Sequence, residues 1–151
     1  MAVTAQVSPT ELERVSSLCY EGNQLIVMLC LLADEGFTAS STFAEWETLE
    51  LPEVNGYTRY SALIPAGGYD ATDLRFEIGS TAGANQIFEA TWTAVGTDLE
   101  YNRVVVAIAT PDGLGGWNDP VGIHSLYTEI PNVVVFPSQF ASYRIQLLVG
   151  P

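Results

Sequence analysis

A two-residue hydrophobic rhythm, repeated along most of this 151-residue chain, limits its fold more than any other feature. Leu74, Phe76 and Ile78 alternate with Arg75 and Glu77, and Phe88, Ala90, Trp92 and Ala94 alternate with Glu89, Thr91 and Thr93. Tyr143, Ile145, Leu147 and Val149 alternate with Arg144 and Gln146 in the same way. Successive side chains of a strand point to opposite faces, so each segment reads as a strand with one buried face. Residues 24–33 (QLIVMLCLLA) and 103–109 (RVVVAIA) are apolar on both faces, which fits central, doubly covered strands. Shorter candidates lie at 57–64, 122–127 and 132–136.

Turn residues separate these segments: Ala66-Gly67-Gly68-Tyr69-Asp70, Gly79 to Gly83, Pro111-Asp112-Gly113-Leu114-Gly115-Gly116, Asn118-Asp119-Pro120 and Phe136-Pro137-Ser138. About eight short strands with a turn signal every ten or so residues predict an all-β, antiparallel, jelly-roll-like β-sandwich. No helical segment separates the later strands, which argues against a parallel α/β sheet.

One helix is expected near the start. Ser8-Pro9-Thr10-Glu11 combines an N-cap serine, a proline at the first helical position and the glutamate of a capping box. Val7 and Leu12 suit a hydrophobic staple, Leu12, Val15 and Cys19 form a narrow stripe, and Gly22 is a natural stop. The pattern predicts a helix over 9–21 within an N-terminal arm (1–22), followed by the sandwich body (23–151), as a single domain. Thr42-Phe43-Ala44-Glu45 is a second capping-box pattern, but residues 42–51 read equally well as extended.

Composition narrows the chemistry. There are 18 acidic and 5 basic residues, a net charge of −13, one histidine (His124) and no lysine. Without lysine there is no Schiff base and no phosphate-loop lysine, and one histidine cannot make a multi-histidine metal site. The scattered arginines and acidic surface argue against nucleic acid as a partner. The longest apolar run, residues 25–32, is far short of the roughly 18 residues of a membrane span. Residues 1–6 lack the charge and apolar run of a secretory signal, so a soluble protein made in a cytoplasm is expected. Cys19 and Cys30 read as reduced core residues, with a disulfide as the alternative.

Few side-chain constellations stand out. Glu45, Glu47, Glu50 and Glu53 form the densest acidic cluster, which suits a solvated edge or a docking surface for a basic partner better than a glycosidase pair. Asp70 and Asp73 lack the spacing of a calcium loop. No Gly-x-Ser-x-Gly elbow accompanies His124 and Ser125. The glycines at 113, 115 and 116 lie between Asp112 and Asp119, which would repel phosphate, and read as a flexible loop tip. Trp92 is expected in the core. Trp117 fits either an exposed anchor or a residue folding its loop back. No catalytic residue, metal or cofactor is assigned.

The segment Leu51-Pro52-Glu53-Val54-Asn55-Gly56-Tyr57-Thr58-Arg59 resembles a glutamate-valine-x-glycine-tyrosine-x-arginine stretch of small tail-fibre-like and virion structural proteins of tailed bacteriophages. In those proteins an N-terminal helix and an apolar strand precede the stretch through a polar loop; residues 24–33 and 34–41 stand in those places. Residues 88–94, Gly96-Thr97 and 101–109 are similar to the hairpin that follows, so the resemblance spans roughly residues 8–110. It implies a non-enzymatic virion protein, made in the host cytoplasm, assembling with other virion proteins and as a homo-oligomer, with no membrane partner. A fibre or tail-associated component is favoured over a capsid decoration (cement) protein. A carbohydrate-binding β-sandwich using Trp117, Tyr69 and Tyr127 is the alternative of a different class. Glu45, Glu47, Glu53, Arg59 and Trp117 are the candidate partner contacts. Gly56 allows the close turn before Tyr57, and Arg59 is expected to pair with one of the acids between Glu45 and Glu53.

Overall fold

The computed structural model describes residues 2–3, 22–31, 43–64, 69–78, 86–123 and 133–149. These form β1 (Ala2–Val3), β2 (Gln24–Cys30), α1 (Phe43–Glu47), β3 (Tyr60–Leu63), β4 (Tyr69–Ile78), β5 (Gln86–Thr93), β6 (Leu99–Tyr101), β7 (Arg103–Ala109), β8 (Val121–Ile123), β9 (Val133–Val135) and β10 (Phe140–Val149). Every strand pairing among the described residues is antiparallel. Among the described residues the order is β1-β4-β10-β5 in one sheet, β3-β2-β7-β8 in a second, and β6-β9 in a two-stranded third. The described residues are therefore mostly β, in antiparallel, open sheets.

β2 and β7 sit side by side at the centre of their sheet, in unbroken register from Gln24↔Ala109 to Cys30↔Arg103. Each is buried at six of its seven positions. The continuous apolar sequence is explained by two coverings. Leu25, Val27, Leu29, Val104, Val106 and Ile108 share a core with Phe88, Ala90, Trp92, Ala141 and Tyr143 of the other large sheet. The opposite face, with Ile26, Met28, Cys30, Val105 and Ala107, packs against Phe43 and Trp46 of α1. Fully burying one such aliphatic side chain is worth about 1.5–3 kcal/mol, so these two strands anchor the fold.

An aromatic chain runs through the first core. Tyr57 and Trp92 lie 5.8 Å apart between ring centroids, Trp92 and Tyr143 6.3 Å, and Tyr143 and Tyr101 6.2 Å. The Tyr101 and Tyr143 hydroxyls hydrogen-bond each other, and the Trp92 indole N–H donates to the Thr58 carbonyl at 2.6 Å. The polar tips of these buried rings are thus satisfied, as burial requires.

Several expectations are refined. The strand expected over 24–33 ends at Cys30, because the chain beyond it bonds residues 49–51 instead: Leu31 N–H donates to Leu49 O and Leu51 N–H to Leu29 O. The strand expected over 57–64 is confined to Tyr60–Leu63, since Tyr57 closes a turn and commits its side chain to the core. The unsettled stretch 42–51 contains α1, which tightens into three-residue bonds at its end, followed by a bridge pairing Glu50 with Cys30. Of the segment 122–127, residues 122 and 123 lie in β8, and His124 onward lies outside the described residues. The helix expected over 9–21, with Cys19, also lies outside them, while Ala2 and Val3 pair with Glu77 and Phe76.

Candidate functional site

The acidic cluster and the Gly-Tyr-x-Arg segment meet in one place, and Glu50 is its hub. Glu50 is carried beside β2 by its bridge to Cys30, and its side chain is only 10% exposed. The Arg59 guanidinium forks onto it: Nε donates to Oε1 at 3.0 Å and Nη2 donates to Oε2. Nη2 also donates to Glu47 Oε2 at 2.9 Å. The guanidinium carbon lies 5.4 Å from the centre of the Phe43 ring, so α1 supplies both a carboxylate and a π face. This two-pronged geometry is the one that planar guanidinium favours with carboxylate.

Tyr57 carries the cluster into the core. Its ring is buried, its hydroxyl donates to Glu50 Oε1 at 2.8 Å, and it accepts the Leu29 N–H at 3.1 Å. The loop before it is a tight turn, with Tyr57 N–H donating to Val54 O and with Asn55 at φ 57° and Gly56 at φ 92°. Two successive positive φ values are the signature of a type I′ turn, for which Asn-Gly is the preferred sequence. Gly56 is required for a second reason: a Cβ there would stand 2.0 Å from the Thr93 carbonyl oxygen. The loop is fastened at that point by the Val95 N–H, which donates to Asn55 O at 2.9 Å.

The electrostatics favour a tie over a reactive centre. The hydrogen bond to Glu50 holds Arg59 firmly charged, above its ordinary range, and outweighs the opposing effect of its partial burial. Burial drives the Tyr57 phenol upward and keeps it neutral. Burial also pushes the Cys30 thiol up to about 12, with Glu50 adding to the shift and Arg59 opposing it. A thiol held in that state is not a nucleophile at neutral pH. Cys30 is free and buried, and its Sγ donates to the Trp46 carbonyl at 3.5 Å.

The expected pairing of Arg59 with an acid of this stretch is present, with Glu50 and Glu47 as partners. Glu53 instead accepts the Arg59 backbone N–H at 3.4 Å, and Glu45 is exposed on α1. Sequence reasoning left Glu50 out of the candidate contacts. A signal was available: of the four glutamates, only Glu50 stands between two leucines.

Trp117 belongs to a separate loop between β7 and β8, where it is 38% exposed and bridges to Pro111. The loop carries its own hydrogen bonds. Asp112 Oδ1 accepts the Leu114 N–H at 2.7 Å and the Gly116 N–H at 3.0 Å, and Asn118 Nδ2 donates to Thr110 Oγ1 at 2.9 Å. An aspartate accepting from the backbone two residues on is a turn-former, so the loop is braced from within.

Beside the Arg59 cluster lies a cavity of about 80 Å³, lined by Leu51, Val54, Asp98 and Leu99 among others. Small-molecule sites run from about 300 Å³ upward, so this is a dimple in the surface and not a ligand pocket. Among the described residues, no group of three or more His, Cys, Asp or Glu side chains is placed to hold a metal ion, and no helix is long and apolar enough to cross a membrane. No protein-family model, curated protein or solved structure matches this chain.

Proposed function

We propose that the chain is a non-enzymatic virion structural protein of a tailed bacteriophage, a fibre or tail-associated component built as a jelly-roll-like β-sandwich. One observation carries this reading. Three residues of the stretch that resembles the virion proteins, Gly56, Tyr57 and Arg59, have architectural tasks. Gly56 permits the close approach to Thr93, Tyr57 joins the core to Glu50, and Arg59 clamps Glu50 and Glu47. Such a segment serves shape, and shape is what an assembly component contributes. The shared core between the two large sheets supports the sandwich.

The test is detection of the chain in phage particles separated into heads and tails, with light scattering on the purified protein. Recovery with tails, and a homo-oligomer in solution, is the expected result. Recovery on assembled shells at fixed stoichiometry would make it a decoration protein. Absence from particles, with glycan binding that is lost in Trp117→Ala, would replace the proposal by a sugar-binding role.

A further inference from the structure

Among the described residues, three large exposed apolar side chains stand on segments that meet at one rim. Val95, Phe136 and Phe140 are 61%, 55% and 64% exposed. Phe140 is the cross-strand partner of Thr93, and Val95 follows two residues later, on the same side. Ala94, between Thr93 and Val95, and Ala141, after Phe140, turn inward and are buried. Phe136 stands across a four-residue turn from Phe140, with Gln139 N–H donating to Phe136 O at 2.9 Å. The segments are laced together, since Ala94 N–H donates to Gln139 O at 3.0 Å and Ser138 N–H to Ala94 O at 2.9 Å. The rim is therefore held in place before any partner arrives, which lowers the entropic cost of docking.

Charge selects the occupant. Residues 91–97 (TWTAVGT) and 136–143 (FPSQFASY) contain no ionisable acid or base other than Tyr143, in a chain of net charge −13. A basic partner would be matched by acids within the docking surface, whereas the acids that adjoin these segments, Glu89 at Ser142 and Asp98 after Thr97, flank the three apolar side chains. A second copy of the chain carries the same −13 and is repelled everywhere except where charge is absent. We infer that the Val95–Phe136–Phe140 rim is the contact through which copies of this chain associate, burying the two phenylalanines between them. The contact concerns only this chain's own surface and does not depend on where in a particle it sits.

The like charge of the copies fixes an unusual sign. Salt screens repulsion between like-charged copies, so self-association strengthens with ionic strength, whereas docking to a basic partner weakens. The experiment is sedimentation equilibrium of the full chain at about 0.02 M and about 0.5 M salt, where the Debye length falls from over 20 Å to under 5 Å. The dissociation constant is expected to fall by about tenfold at high salt. Phe136→Asp/Phe140→Asp is expected to be monomeric at both, with unchanged far-UV circular dichroism. Phe136→Ser/Phe140→Ser serves if the aspartates impair folding. Leu114→Asp, at a 91% exposed leucine on the β7–β8 loop, should associate like the parent. A parent chain that is monomeric at high salt, a doubly substituted chain that keeps its oligomeric mass, or sedimentation of the parent with uncharged phosphatidylcholine vesicles in place of self-association would each overturn the inference. A monomer still recovered with phage tails would sink this contact and leave the virion reading standing.

Discussion

Replacing Gly56 by alanine should be among the most damaging single-methyl additions this protein can receive. The residue sits at φ 92°, and the new Cβ would lie 2.0 Å from the Thr93 carbonyl oxygen, where contacts under 3.0 Å essentially do not occur. Forcing a non-glycine residue into the left-handed region costs about 1–2 kcal/mol. Relieving the clash requires the turn to withdraw by about 1 Å (3.0 less 2.0), away from backbone that cannot swing aside. That movement breaks the Val95 N–H to Asn55 O bond and strains the Trp92 indole bond to Thr58 O, at about 1 kcal/mol each. The less flexible unfolded chain returns about 0.4–1 kcal/mol, leaving a net loss of about 3 kcal/mol. Gly96→Ala isolates the conformational part, because Gly96 has φ 79° and nothing within 4 Å of its would-be Cβ. It should cost about 1 kcal/mol. Urea unfolding followed by tryptophan fluorescence reads both, provided the denaturant slopes agree. Equal midpoint shifts in the two variants would refute the steric argument.

Three further outcomes follow from the Glu50 hub. Tyr57→Phe leaves the Leu29 N–H buried without its acceptor and removes one bond to Glu50, so calorimetry should show a loss of about 2 kcal/mol; a shift under about 0.5 kcal/mol would mean that another acceptor replaces the hydroxyl. In double-mutant cycles with alanine, Arg59 and Glu50 should couple by about 1–3 kcal/mol and Arg59 and Glu53 by less than about 0.3 kcal/mol; the reverse order would reassign the partner. The Cys30 thiol is raised from its ordinary 9.0 to about 12 in the folded chain, so its contribution to stability is complete below pH 9 and is lost as pH climbs toward 12. Cys30→Ala should flatten the alkaline decline in melting temperature, and an unchanged slope would show that other groups set it.

The order of structure was legible wherever one face of the chain pays no attention to its neighbours along the sequence. Alternation placed β5, the second half of β4 and most of β10, and unbroken apolarity placed β2 and β7, because a side chain's burial in a sheet follows directly from its parity and from how many faces are covered; Tyr69 and Asp70, expected in a turn, instead open β4 and pair with Val149 and Leu148. The same logic put Trp92 inside. The extent of strands was less legible: residues 31 and 57–59 have strand-like composition, yet long-range partners take their backbone or side chains. Stretch 42–51 was undecidable locally, since a short helix there is held by Phe43 and Trp46 packing on β2 and β7, contacts that no window of neighbouring residues contains.

The site divides in the same way. Asn55-Gly56 is a local instruction, because two consecutive positive φ angles are a property of those residues themselves. The acids between Glu45 and Glu53 announced that Arg59 would find a partner. Which acid it found was decided only in three dimensions, where the bridge from Glu50 to Cys30 sets that carboxylate beside Tyr57 and under the guanidinium, while Glu53 is left to the backbone. Charge, periodicity and turn chemistry act over a few residues, so the sequence alone determined an acidic, antiparallel β protein with a close turn at Gly56. The choice of Glu50, the burial of both faces of β2 and β7, and the rim that gathers Val95, Phe136 and Phe140 depend on strands distant in sequence lying side by side. Only the tertiary structure decides such neighbours.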